Sequence, residues 1–172
     1  MTKSDIAVLP QFFDRYINLV GNIDIIDALT QAALFESLLP VETAQSLGDR
    51  IYAPGKWTIR DIIQHLIDTE RIMAYRAMRF ARNDKTSLPG FDENLFGEFA
   101  RATRRTAADL YEEYAQVRQS SITLFQSFDQ EMLLRNGTAS SVTISVLALG
   151  FMLVGHPIHH VTVIRERYLP LL

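Results

Sequence analysis

The chain has 172 residues, 48% apolar and 22% charged, with a formal net charge of −3. Such a chain is long and apolar enough to fold as one globular domain over residues 1–172, and its composition argues against disorder. The charge gives no basis for nucleic-acid binding, and the absence of cysteine removes disulfides, thiolate zinc sites and cysteine nucleophiles.

Met1-Thr-Lys-Ser-Asp5 begins polar with no apolar segment and cleavage site behind it, so no signal peptide is expected and the location expected is cytoplasmic. Apolar residues recur at helical spacing along most of the chain. A first helical segment runs from Pro10 to Val20 and is broken at Gly21-Asn22. Asp24 then caps a second through Phe35, which closes before Pro40; the two pieces form one bent helix or two. Residues 40–57 form a connection with a short helical turn at Val41–Leu47.

Thr58 and Asp61 make a capping-box pair for a long helix that ends near Arg82. Asn83 to Asp92 reads as an exposed loop. A further long helix is expected over about Thr103 to Phe128, a turn at Asn136-Gly137, and a last helix over Val142–Tyr168. The apolar run Val142–Val154 is too short to span a bilayer and reads as a buried central helix, so no membrane is expected. Arg71, Arg76, Arg79, Arg82, Arg101, Arg104 and Arg105 are mixed with Glu70, Asp84, Glu98 and Asp109, as on a solvated surface. The sum is an all-α domain with a four-helix core.

Three of the four histidines fall within Gly155-His156-Pro157-Ile158-His159-His160, and the fourth is His65. His156 and His160 are one helical turn apart on the same face, so both imidazoles can reach one ion. A third imidazole from a neighbouring helix, His65, would complete a three-histidine site with open positions. His159 competes with His160 by spacing, but the geometry favours His160 and leaves His159 as a neighbour. Imidazole donors suit zinc, nickel, iron or copper rather than calcium or magnesium. Pro157 lacks an amide donor and is expected to break or kink the last helix near Val154-Gly155 and to start a new first turn, leaving His156 at a helix boundary.

Trp57-Thr-Ile-Arg-Asp61-Ile-Ile-Gln-His65-Leu-Ile-Asp68-Thr-Glu70-Arg71, followed by Gly155-His-Pro-Ile-His-His160-Val-Thr-Val-Ile-Arg165-Glu166-Arg167-Tyr168, resembles the DinB superfamily. The resemblance covers Trp57 to Tyr168. It implies an up-down-down-up four-helix bundle with a long crossover, preceded here by a short extra helix at the N-terminus. It also implies a divalent transition metal on His65, His156 and His160, zinc or nickel first and iron or manganese also compatible. The biological unit implied is a homodimer. Pro157 departs from the commoner family pattern, which has a polar residue at that position.

The same resemblance, to bacillithiol and mycothiol S-transferases, implies a small-molecule substrate and an S-transferase acting with a low-molecular-weight thiol; a metal-dependent hydrolase and a non-catalytic metal- or ligand-binding stress-response protein are the alternatives. No residue stands out as a general base, which favours thiol activation. Asp68, three residues after His65, is a candidate to orient an imidazole or is an exposed carboxylate. Glu70 and Arg71 read as surface or interhelical charge pairs, and Trp57 as packing at a helix start or as a pocket wall.

Overall fold

The computed structural model describes residues 1–172. After a single 3₁₀ turn at Lys3–Asp5, the elements in chain order are α1 (Asp14–Ile17), α2 (Ile25–Gln31), α3 (Val41–Leu47), α4 (Ile59–Ala81), α5 (Glu93–Ala100), α6 (Ala107–Gln126), α7 (Gln130–Leu134), β1 (Asn136–Ala139), β2 (Val142–Ser145) and α8 (Val146–Val163). The four-helix core consists of α4, α6, α8 and the paired α1 and α2, which pack on α8.

The helix starts follow local chemistry. The Asp24 carboxylate accepts the Ile26 amide at 2.8 Å at the head of α2. At the head of α4, the Thr58 amide donates to Asp61 at 2.9 Å while the Asp61 amide donates back to the Thr58 hydroxyl. Thr106 and Asp109 repeat the box at α6, so that helix begins at Ala107, beyond the expected Thr103. The N-terminal segments form two short helices with a break at Gly21-Asn22.

Two elements depart from the sequence expectation. Residues 142–145, expected in the last helix, pair as a strand with Asn136–Ala139. Ser140 and Ser141 close this hairpin with φ of 52° and 63°, the backbone of a two-residue type I′ turn. Asn136-Gly137, expected as the turn, lies in β1, where a Cβ on Gly137 would fall 2.0 Å from the Phe80 ring. The second departure is α5, none of whose residues is buried, so that it shows no core-facing stripe. The loop 83–92 is tied to the hairpin: Leu88 is buried and exchanges backbone hydrogen bonds with Thr138 and Ser140.

The expected break at Pro157 does not occur. α8 runs through it, and with the turns that follow it spans Val146–Leu171, long and apolar enough to cross a bilayer. Most of that stretch is buried inside the fold. Proline removes the amide that would have bonded to the Leu153 carbonyl one turn earlier. Arg118 Nη2 donates to that carbonyl at 2.8 Å, so the oxygen keeps a partner. Arg118 is fully buried, and its Nε and Nη2 also hold Glu70 at 2.7 and 2.8 Å in a bidentate pair. Its Nη1 reaches the Ala32 carbonyl at the end of α2. One side chain of α6 thereby links α2, α4 and α8, and Glu70, read from sequence as a surface or interhelical charge, is buried between helices.

These polar groups form a belt that divides the apolar interior in two. On α4, Ile59 to Ile67 belong to one cluster and Met73 to Ala81 to the other, with Thr69 and Glu70 between. On α8 and the turns that follow it, Val146 to Val154 and Val161 to Tyr168 are separated by His156 and Pro157. On α6 the division falls at Arg118 and Ser121. Gly155 lies at the same level because α1 passes against it: a Cβ there would sit 1.9 Å from the Tyr16 carbonyl oxygen.

Two stability predictions follow from the belt. Glu70→Met alone leaves the Arg118 charge buried and unpaired and should cost about 3–5 kcal/mol in urea unfolding, whereas Glu70→Met with Arg118→Met should cost less than the sum of the two single changes. Gly155→Ala should cost about 1–3 kcal/mol or more, because backbone rather than a flexible side chain must yield.

Candidate metal centre

Three of the four histidines meet in the polar belt. His65 comes from the second turn of α4, and His156 and His160 from successive turns of α8. Their Nε2 atoms converge: His65 to His156 is 3.2 Å, and His160 to His156 is 3.0 Å. The ligand atoms of all three lie within 4.8 Å of one another. For bonds of 2.0–2.1 Å to a shared ion, those two separations correspond to angles of about 103° and 95°, near the range of tetrahedral and facial octahedral sites. Three convergent ring nitrogens repel as lone pairs and are satisfied together by a cation, so the donor set fits a transition metal.

Burial keeps these rings neutral. It lowers the His65 pKa from 6.5 to about 4, with no other contribution. For His160, burial followed by the neighbouring His65, His159 and Arg15 lowers it to about 3. His156, 5% exposed, is held well below 6.5 by burial first and then by the positive charge that His160, His65, His159 and Arg15 would place beside it. Each imidazole can therefore offer a lone pair at neutral pH.

Aromatic rings shield the cluster. Trp57 lies against His65 with ring centroids 4.8 Å apart, and Tyr16 packs edge-on to His156 at 5.0 Å. Trp57, which the sequence left between packing and pocket wall, lines the cavity. Tyr16 was not singled out by sequence; it reaches the site because α1 crosses α8 at Gly155. His159 is half-buried, touches Tyr16 and His160 ring to ring, and lines the cavity without joining the convergent nitrogens. Asp68 accepts from the Gln64 side chain at 3.0 Å and is not bonded to an imidazole. The group nearest His65 Nδ1 is the Thr69 hydroxyl, at a long 3.5 Å. Arg71 is exposed and pairs with Glu113.

The histidines lie at one end of a cavity of about 470 Å³. Phe12, Phe13, Tyr16, Trp57, Met73, Phe91, Val142 and Met152 supply its apolar wall, and Arg15, Arg76 and Glu93 its charged groups. A volume of this size holds a small organic molecule.

A helical bundle with three inward histidines from two helices beside a small-molecule cavity defines a metal-site class of four-helix protein. The chain belongs to the DinB superfamily, whose family model matches residues 28–164. It is similar in fold to YfiT from Bacillus subtilis, at a TM-score of 0.68 and 17% sequence identity, covering 92% of this chain and 87% of that one. YfiT is described as "a probable metal-dependent hydrolase with an unusual four-helix bundle topology". No curated protein matches the chain.

The site predicts a pH dependence for the metal-free protein. The three imidazoles stay neutral in the fold but protonate near pH 6.5 once the chain unfolds, so the unfolded state gains protons as pH falls. Stability should be full above about pH 6.5 and decline towards about pH 4, read from urea midpoints across that range. A flat profile would contradict the burial of neutral imidazoles.

Proposed function

We propose that the chain is a metal-dependent enzyme acting on a small molecule, of the thiol S-transferase type, with His65, His156 and His160 holding a divalent transition metal. The observation that carries this reading is the convergence of three neutral Nε2 atoms in the wall of an organic-sized cavity. His65, His156 and His160 would hold the metal, and the chemistry it would supply is Lewis-acid stabilisation of a thiol substrate as its thiolate at neutral pH, a nucleophile for an electrophilic carbon. The new carbon–sulfur bond forms as the leaving group departs with its electron pair, and the thiol proton passes to solvent.

The protein's own groups position and shield. Trp57 and Tyr16 cover the imidazole faces and keep bulk water from the nucleophile. The polar belt fixes the two helices that carry the ligands, so that neither substrate has to organise them. The second reading is hydrolysis, favoured by the description of YfiT. It calls for a base beside the attacking water, and the one carboxylate lining the cavity, Glu93, is exposed. This favours the transferase. Zinc or nickel suits three imidazole donors best.

The test loads the protein with zinc or nickel and supplies a panel of low-molecular-weight thiols with a model electrophile. Turnover should require both metal and thiol, and His65→Ala with His160→Ala should abolish metal uptake while helicity by circular dichroism persists. Metal-dependent cleavage of an ester without thiol would move the assignment to a hydrolase. Metal uptake without turnover in either assay would leave a binding protein.

A further inference from the structure

Arg76 is a buried cation in the cavity that the histidine centre does not use. It follows His65 by eleven residues on α4, and His65, Thr69, Met73 and Arg76 form one stripe that lines the cavity. At 1.5 Å per residue, the α-carbons of His65 and Arg76 are about 16 Å apart along the helix. The cavity is therefore long, with imidazoles towards one end of the stripe and a guanidinium towards the other.

Arg76 is 3% exposed. Its Nη2 donates to the Pro89 carbonyl at 2.9 Å and the Ser140 hydroxyl at 3.2 Å, and its Nη1 meets the Met73 sulfur at 3.4 Å. No carboxylate pairs with it, in contrast to Arg118 and Glu70. Burial depresses its pKa and no acid offsets that cost. The cavity's other charged groups, Arg15 and Glu93, are both exposed and both act on Tyr16, so the mouth is balanced where the interior is cationic. A buried charge of one sign without a partner is expensive to keep unless a ligand completes the pair.

The hairpin turn serves the same group. Ser140 adopts a left-handed backbone that glycine would occupy without strain, yet a glycine would lose the hydroxyl that takes the Arg76 proton. Ser140 Oγ and the Pro89 carbonyl both hold Nη2, leaving Nε and Nη1 without an oxygen acceptor.

We propose that Arg76 is the anion-binding end of the substrate cavity, so that the substrate is an elongated organic carboxylate whose charged end pairs with Arg76 while its reacting end lies at the histidines. Phe91 and Met73 line the cavity beside Arg76 and suit an apolar or aromatic middle. The placement of the reacting end rests on the metal-dependent reading above; the anion pocket itself does not.

The test is calorimetric titration of metal-free, chelator-treated protein with 3-phenylpropanoate and with its neutral amide, 3-phenylpropanamide. The wild type should prefer the acid by about tenfold or more, the value of a charge-assisted hydrogen bond. Arg76→Met should remove the preference, so that acid and amide bind alike. Arg76→Lys, which keeps the charge but not the fork, should keep a reduced preference, and it decides the question if the Met variant fails to fold by circular dichroism. Equal affinity for acid and amide in the wild type, or a preference that survives Arg76→Met, overturns the proposal. Metal uptake, measured in parallel, reports on the histidine centre alone. Uptake without acid preference sinks the anion pocket only, and an Arg76-dependent preference without uptake sinks the metal reading only.

Discussion

The architecture depends on the Arg118 guanidinium. A fully buried cation at the middle of an apolar bundle is costly unless it is paired and its hydrogen bonds are met. Here Glu70 neutralises it in bidentate geometry, and the carbonyls of Ala32 and Leu153 take two further protons. These partners lie at the end of α2, on α4 and on α8. Any relative slide of those helices would strand a charge, so the pair fixes their register where apolar packing alone would tolerate alternatives.

That register is what the histidines need. Glu70 follows His65 by little more than one turn, and Leu153 precedes His156 by three residues. The contacts that fix the belt therefore act beside the three histidines. The proline inside α8 belongs to the same arrangement: its missing amide leaves a buried carbonyl that Arg118 can reach, so helical geometry continues through His156. Gly155 lets α1 approach and bring Tyr16 over the imidazole. Rigid support around convergent donors is the condition for a site that binds without rearranging.

Much of this was legible in the sequence. The helical class, the caps at Asp24 and Thr58, and the long α4 follow from periodicity and capping chemistry, and the meeting of His65 with His156 and His160 follows from an i, i+4 pair that needs a third donor. What escaped had non-local causes. Pro157 reads as a helix breaker because its rescuer, Arg118, is thirty-nine residues away and indistinguishable in sequence from a surface arginine. The Ser140-Ser141 hairpin lacks the Asn-Gly or Asp-Gly pair that marks such turns, and a nearby Asn-Gly occupies a strand. α5 is only eight residues long, and its apolar Leu95, Phe96 and Phe99 stay exposed, so it is too short a stretch to stand out from the loop before it. Arg76 looks like one more member of a basic helix face until the fold closes the hairpin over it.

The central claim is that three Nε2 atoms from α4 and α8 hold one metal ion. X-ray absorption spectroscopy of the untagged protein, loaded with one equivalent of zinc or nickel, tests it most directly. The account predicts three imidazole nitrogens at about 2.0–2.1 Å with the remaining positions filled by lighter, exchangeable donors. A spectrum with fewer than three imidazoles, or failure to retain an equivalent of either metal, would contradict it.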